Sequence, residues 1–197
     1  MKTKTRRILG LLLAMLLIVV PLWGCGKEKM QGSVNSDIVQ NTQTAGGLIV
    51  HYLDVGQGNA ILLQSEGKSM LIDGGARKSS SFVVSYLEKQ NIEKLDYVLI
   101  SHFDEDHLSG AVGALHKFPV GTLITPDYEA DSNIFQSYQK VVEEKGYEAV
   151  HPQQGQEFSL GSAKFRIISP VSYGHEDENQ DSVGVILENG EQKFFIG

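Results

Sequence analysis

The fold of this chain is decided by residues 101–110, SHFDEDHLSG, which bring two histidines and three carboxylates into one short turn. The apolar run 97–100 before this turn is typical of a buried strand, and the residues from Leu108 onward predict a helix. A strand-to-helix turn needs no such density of charge, whereas divalent metals prefer imidazole nitrogen and carboxylate oxygen converging from a constrained loop. The alternative is a solvated acidic loop in which Asp106 caps the helix and the histidines are incidental. We predict a metal site with four candidate ligands: His102, Asp104, Asp106 and His107.

The spacing of these side chains indicates that the loop serves two metals. His102, Asp104 and Asp106 alternate, so in an extended segment they project from one side, whereas His107 breaks the alternation and points elsewhere. Ligands that leave a loop in two directions suit two adjacent ions, which can hold both the attacking and the leaving oxygen of a displacement. Glu105 is out of phase and is predicted to be solvated or to contact the ligands from outside.

The pattern H-x-D-x-D-H after an apolar strand resembles the metal motif of the metallo-β-lactamase-fold hydrolases, usually H-x-H-x-D-H. Asp104 at its second position resembles the branch that contains the ComEC-type competence proteins. Residues 53–60, LDVGQGNA, resemble that branch's L-D-V-G-Q-G-D-A, with Asn59 where Asp is usual, and residues 71–75 resemble its L-I-D-G-G turn. Residues 179–182 and 193–197 resemble its N-x-N-S strand and its apolar strand ending in Gly-Asp. The resemblance implies an α/β fold, the metallo-β-lactamase αβ/βα sandwich.

The resemblance also implies roles for individual residues. The carboxylate at the position of Asp73 supports the metal loop by hydrogen bonding, although Asp before Gly is also a common turn residue. The third histidine of the family falls within residues 179–182, where this chain has none. Asp181 is the predicted oxygen substitute as a metal ligand, with Asn179 second. His175 is predicted to be solvated, and the histidines at 51, 116 and 151 to be structural.

The implied activity is hydrolysis by a metal-activated water, with two divalent ions, Zn²⁺ or Mn²⁺, as cofactors. Asp104 and Asp106 are the predicted catalytic residues, because either carboxylate can orient the water. The fold hosts lactamases, lactonases, thioesterases, phosphodiesterases and nucleases, so the fold alone does not identify the substrate. A phosphodiester is our prediction. The alternative is a non-catalytic surface lipoprotein that uses the fold as a binding module, which Asn59 and the missing third histidine favour.

The resemblance further predicts a domain that is incomplete at its C-terminus. In the family the final Gly is followed by an Asp that bridges the metals, and later by a segment of the type H-H-G-S. Neither follows Gly197 in this sequence. The expectation is either a fragment of a longer protein or a truncated product, with weak metal binding by residues 1–197 alone.

The N-terminal residues predict a secreted lipoprotein. Four basic residues within the first seven precede an apolar segment at 8–20, which is shorter than the roughly 20 residues that span a bilayer. Residues 22–25, LWGC, resemble a bacterial lipobox, and Cys25 is the only cysteine, so no internal disulfide is possible. Cys25 is either lipidated or an incidental thiol, and its position favours lipidation. We therefore predict a signal peptide (1–24), the lipidated Cys25 with a flexible spacer (25–46) and a partial metallo-β-lactamase-like domain (47–197), held extracytoplasmically on the bacterial cell membrane.

The charge of the chain argues against a nucleic-acid substrate. Loss of the four basic residues of the signal peptide takes the formal net charge from -7 to about -11. Proteins that hold nucleic acid through its phosphates normally carry a basic stripe, and the sequence shows none. A pair of divalent ions would offset part of this charge, so nucleic acid stays open as a partner, and no feature indicates a protein partner.

The remaining elements follow from periodicity and turn residues. We predict helices at 80–90, from 108 to 116 and at 132–145, and strands at 48–53, 60–64, 69–72, 97–100, 122–125, 148–150, 157–160, 164–169, 183–188 and 193–196.

Overall fold

The computed structural model describes residues 47–197. The predicted signal peptide, Cys25 and the spacer up to residue 46 lie outside the described residues. The strands are β1 (Leu48–Tyr52), β2 (Ile61–Ser65), β3 (Lys68–Ile72), β4 (Leu95–Leu99), β5 (Val120–Ile124), β6 (Ala149–Val150), β7 (Glu157–Leu160), β8 (Ala163–Ser169), β9 (Gly184–Asn189) and β10 (Gln192–Ile196). The α-helices are α1 (Ser80–Lys89), α2 (Glu105–Lys117) and α3 (Asn133–Lys145), with short 3-10 turns at Arg77–Ser79 and Glu178–Asp181.

The strands form two sheets. The first has six strands in the order β1-β2-β3-β4-β5-β6, antiparallel from β1 to β3 and parallel from β3 to β6. The second has four antiparallel strands in the order β10-β9-β8-β7. The predicted elements appear in the predicted order, and the prediction of an α/β sandwich is confirmed. Within residues 47–197 no helix is long and apolar enough to span a bilayer.

Alternation along the strands of the first sheet divides the apolar residues between two cores. In β3, Leu71 packs with the helices, whereas Met70 and Ile72 pack between the sheets. In β4, Val98 packs with the helices and Leu99 packs between the sheets. Because successive side chains point to opposite faces, a strand covered on both faces is apolar at every position. The short apolar runs of the sequence are therefore central strands.

The parallel strands end at one edge of the first sheet, and this edge positions the candidate site. The backbone N–H of Asp73, after β3, donates to the Leu99 carbonyl at 2.9 Å, and that of Ile100 donates to the Ile124 carbonyl at 2.9 Å. The residues that follow β3, β4 and β5 therefore lie side by side. In open α/β sheets this carboxyl edge is where ligands bind.

Candidate metal centre

The histidine- and carboxylate-rich loop leaves β4 and enters α2 three residues earlier than predicted. Asp104 is the N-cap residue, with extended backbone, and its side chain makes no capping hydrogen bond. Asp106 lies inside the first helical turn rather than at the cap. Neither carboxylate is used to cap the helix, so both remain available to a ligand. The predicted alternation of side chains fails beyond Asp104, because the backbone is helical from Glu105 onward.

The two histidines of the loop lie together. The ring centroids of His102 and His107 are 4.0 Å apart, with 48° between the ring planes. The prediction that His107 points away from His102 is wrong, because the first turn of α2 carries residue 107 back over the end of β4. Both imidazoles therefore belong to one site.

Asp73 supports the histidine loop through hydrogen bonds. Its carboxylate is fully buried and accepts hydrogen bonds from the Ser101 backbone N–H and Oγ–H, both at 2.8 Å, and from His107 Nδ1 at 2.9 Å. The Asn59 amide lies 3.4 Å from the same carboxylate. The backbone of Asp73 has φ 54°, a left-handed conformation that Asp tolerates better than most residues. The structure thus places Asp73 beneath the loop, in contact with one predicted ligand.

Ser101 determines which ring nitrogen of His102 carries the proton. Since the Ser101 hydroxyl donates to Asp73, its oxygen accepts from His102 Nδ1, 2.9 Å away, and Ser182 Oγ lies 3.2 Å from the same nitrogen. His102 Nε2 is then a bare acceptor. It is buried, and within residues 47–197 it has no hydrogen-bond partner.

The surroundings of His102 Nε2 fit a cation. Asp104 Oδ2 lies 3.5 Å away, so a bare nitrogen faces a carboxylate oxygen, an arrangement that repels unless a proton or cation lies between them. Two ligands about 2.1 Å from one Zn²⁺ in tetrahedral geometry are about 3.4 Å apart. The donor types and their separation therefore suit a divalent metal.

The two histidines differ in basicity. Burial lowers the pKa of His102, the neighbouring His107 adds to this, and the surrounding carboxylates only partly offset it. Burial also acts to lower the pKa of His107, but the hydrogen bond and charge of Asp73, with Asp106 and Asp104, outweigh it and the pKa is raised. His102 is therefore the neutral imidazole that a metal requires. At His107 a proton competes with the metal, so metal affinity should fall as pH falls.

The predicted ligand Asp181 is engaged elsewhere. Its buried carboxylate accepts from the backbone N–H groups of Gly174, at 3.0 Å, and His175, at 3.3 Å, and pairs with the His175 ring through Nδ1. Burial acts to raise the pKa of Asp181, but these hydrogen bonds outweigh it and the pKa is lowered. The segment still borders the loop, since Val183 N–H donates to the Ser101 carbonyl at 2.8 Å. The role of Asp181 as a metal ligand stays a prediction.

The sequence predicts that His175 is solvated, whereas in the structure its ring pairs with Asp181. The other histidines behave as structural or surface groups. His51 contacts the Tyr86 hydroxyl and the side-chain Oε1 of Gln64, both at 2.9 Å, and His151 donates to the backbone carbonyl of Pro126 at 2.9 Å. His116 is exposed near the end of α2.

The candidate ligands form pairs rather than a closed set. Across residues 47–197, no group of three or more His, Cys, Asp or Glu side chains has the geometry to hold a metal. The pairs are His102 with Asp104 and His107 with Asp73.

Comparison with known proteins identifies the class. The family model of the metallo-beta-lactamase superfamily matches residues 53–194, from the first glycine-rich motif to the last strand. The chain therefore belongs to the metallo-beta-lactamase superfamily.

The relatives refine this assignment. The chain is 26% identical over 152 residues to Recombination protein 2 of Haemophilus influenzae, covering 75% of this chain and 18% of the relative. It is 20% identical over 165 residues to ComE operon protein 3 of Bacillus subtilis, covering 75% of this chain and 21% of the relative. The resemblance to the ComEC-type branch is confirmed, and the chain spans about a fifth of the length of these relatives.

A solved structure agrees on the fold. The Rm3 metallo-beta-lactamase superposes with a TM-score of 0.51 at 14% identity, covering 74% of this chain and 56% of that one. At this identity the likeness concerns the fold alone.

Proposed function

We propose that this protein is a metal-dependent hydrolase of phosphodiesters that works at the outer face of the bacterial cell membrane. The observation that carries the proposal is the buried, unpartnered Nε2 of His102 beside the Asp104 carboxylate. A buried polar atom without a partner is rare in folded proteins because it loses its hydrogen bonds to water. A cation between these two groups would satisfy both of them.

The residues divide the work as follows. His102, Asp104, Asp106 and His107 would hold two divalent ions, Zn²⁺ or Mn²⁺. When bound, such ions polarise the phosphoryl oxygen and make water acidic enough to act as a nucleophile near neutral pH. Asp104 and Asp106 would orient that water and accept its proton. Ser101 and Asp73 occupy the Nδ1 atoms of His102 and His107, which would leave the two Nε2 atoms to bind a metal.

Metal binding tests this proposal, and Asp73→Asn is the informative variant. Asn tolerates the left-handed backbone at this position. Its NH₂ group, however, would replace a carboxylate oxygen that accepts a hydrogen bond, so a donor would face the N–H and O–H donors of Ser101. We expect the affinity for Zn²⁺ or Mn²⁺ to fall by about 10- to 100-fold, as measured by competition with a chelator.

Asp96→Asn is the matched control for this measurement. Asp96 also accepts hydrogen bonds from a backbone N–H and a side chain, but it lies at the opposite end of β4. Its replacement should leave metal affinity unchanged. A full-length protein that takes up neither ion, or an Asp73→Asn variant that binds as tightly as the parent, would refute the proposed site.

A non-catalytic binding module is the second candidate function. The observation that favours it is the pairwise arrangement of the candidate ligands in the described part of the chain, together with Asn59 where the branch has Asp. Such a module would keep the fold and the loop but show no metal-dependent hydrolysis. Assays on phosphodiester, ester and lactam substrates, with and without chelator, separate the two candidates.

Lipidation of Cys25 would place the protein at the membrane. The Cys25→Ser variant should move from the membrane fraction to the soluble fraction of fractionated cells, because the acidic domain has no charge attraction to an anionic membrane. The spacer alone provides no apolar anchor. If Cys25→Ser still sediments with membranes, the lipoprotein proposal is wrong.

A further inference from the structure

A cavity of about 340 Å³ opens beside the His102–Asp104 pair. It lies between the start of α2, the segment 130–134 that leads into α3, and Glu178. A larger cavity of about 690 Å³ lies at the opposite end of the strands, lined by residues 64–69 and 90–94, and none of the candidate ligands borders it. Asp104 of the candidate centre lines the smaller cavity, so a substrate bound at that centre can extend into it.

The lining of this cavity is strongly acidic. Arg77 is the one basic residue that lines it. Four carboxylates line it as well: Asp104, Glu105, Asp131 and Glu178. Within the described residues, no ion pair joins Arg77 or a lysine to any of the four, and only Asp104 faces an imidazole. Glu178 accepts a hydrogen bond from the Tyr128 hydroxyl at 3.2 Å, which keeps this carboxylate in place without neutralising it. Even with Asp104 assigned to a metal, three carboxylates face one guanidinium.

Ser109 adds an independent observation. It lines the same cavity from α2, only 5% of its surface is exposed, and its Oγ has no hydrogen-bond partner within residues 47–197. Buried hydroxyls are normally hydrogen-bonded, and a serine hydroxyl can both donate and accept, so an unpartnered one at a cavity wall can bond to a ligand that carries polar hydrogens.

We propose that this cavity binds an ammonium group of the substrate, so that the phosphodiester hydrolysed at the centre is one esterified with a short amino alcohol. This inference rests on the proposed function. An ammonium supplies the positive charge that the carboxylates lack and N–H donors for carboxylate and hydroxyl oxygens. A second phosphate group, as in a polynucleotide, would face three carboxylates and be repelled. The cavity thus selects against nucleic acid.

Two matched substrates test the selection. The full-length metal-loaded protein should hydrolyse 2-aminoethyl 4-nitrophenyl phosphate with a kcat/KM about tenfold or more above that for ethyl 4-nitrophenyl phosphate. Glu178→Gln and Asp131→Asn should each reduce this preference by about fivefold, the upper end for a partly exposed ion pair. Glu129→Gln is the control, because it removes the same charge from an exposed residue that does not line the cavity. Equal preference in all variants would overturn the proposal.

Binding provides a readout that does not depend on activity. NMR titration with 2-aminoethanol should shift resonances of Ser109 and Glu178, whereas ethane-1,2-diol should shift them far less. Ser109→Ala should weaken binding of the amine by about threefold without lowering thermal stability, because the hydroxyl it removes has no partner in the described fold. Stronger binding of the diol would indicate a polyol site and refute the ammonium assignment. If the amine binds as expected but neither substrate is hydrolysed, the proposed function fails and the ammonium site stands.

Discussion

Gly110→Ala is expected to destabilise the fold by about 3 kcal/mol or more, or to prevent folding. A Cβ at this position would lie 1.8 Å from the carbonyl oxygen of Gly74 and 2.6 Å from its carbonyl carbon. The two segments are also joined through their backbones, since Gly110 N–H donates to the Gly75 carbonyl at 3.1 Å and Gly74 N–H to the His107 carbonyl at 2.8 Å. Backbone atoms cannot turn aside as a flexible side chain can, so the added methyl group must separate α2 from the turn after β3.

Gly113→Ala is the matched control, because it makes the same change one turn later in α2. Its Cβ would lie 2.4 Å from Ser80 Oγ, the end of a side chain that can rotate. The clash is therefore relieved cheaply, and the gain in helix propensity of up to about 1 kcal/mol offsets it. Urea unfolding followed by circular dichroism measures both variants. If Gly110→Ala unfolds at the same urea concentration as Gly113→Ala, the close approach of Gly74 and Gly110 is not what requires glycine.

The elements of the fold were predictable because its central strands are covered on both faces. Runs such as 97–100 contain almost no polar residue, and glycine- or asparagine-rich turns separate them, so periodicity and turn residues locate them within a few positions. The start of α2 was less predictable. Glu105 and Asp106 are favourable in a first helical turn. The alternation of His102, Asp104 and Asp106 instead predicts an extended loop up to residue 106, whereas the helix begins at Glu105.

Short-range spacing predicted the four candidate ligands of the loop, and the family resemblance predicted Asp73 and Asp181, but neither predicted the contacts that the fold creates around them. Ser101 touches Asp73 and His102, but it is an ordinary serine in the sequence and only the fold brings residue 73 to it. The pairing of His175 with Asp181 depends on the path of the loop before β9, which no periodic pattern specifies. Such contacts are set by tertiary packing, so a single sequence reveals them poorly.

Asp106→Ala is expected to lower metal-dependent phosphodiester hydrolysis by roughly a thousandfold or more in the full-length protein. Under the proposed function, this carboxylate would serve the metals and the water rather than the fold. Within residues 47–197 it forms no hydrogen bond or ion pair, although its charge acts on both histidines. Its loss removes about 0.3–1 kcal/mol of favourable interaction with the helix N-terminus, and the higher helix propensity of Ala offsets part of that.

The contrast with two histidine variants distinguishes loss of chemistry from loss of folding. His107→Ala should abolish hydrolysis as Asp106→Ala does, because it removes the imidazole that Asp73 orients. His116→Ala, an exposed change in the same helix, should retain activity within about twofold, since surface substitutions change stability little. Initial rates with saturating Mn²⁺ or Zn²⁺, together with thermal melting of each variant, provide the comparison. Full activity in Asp106→Ala, or equal losses in all three variants, would show that the loop does not do the chemistry assigned to it.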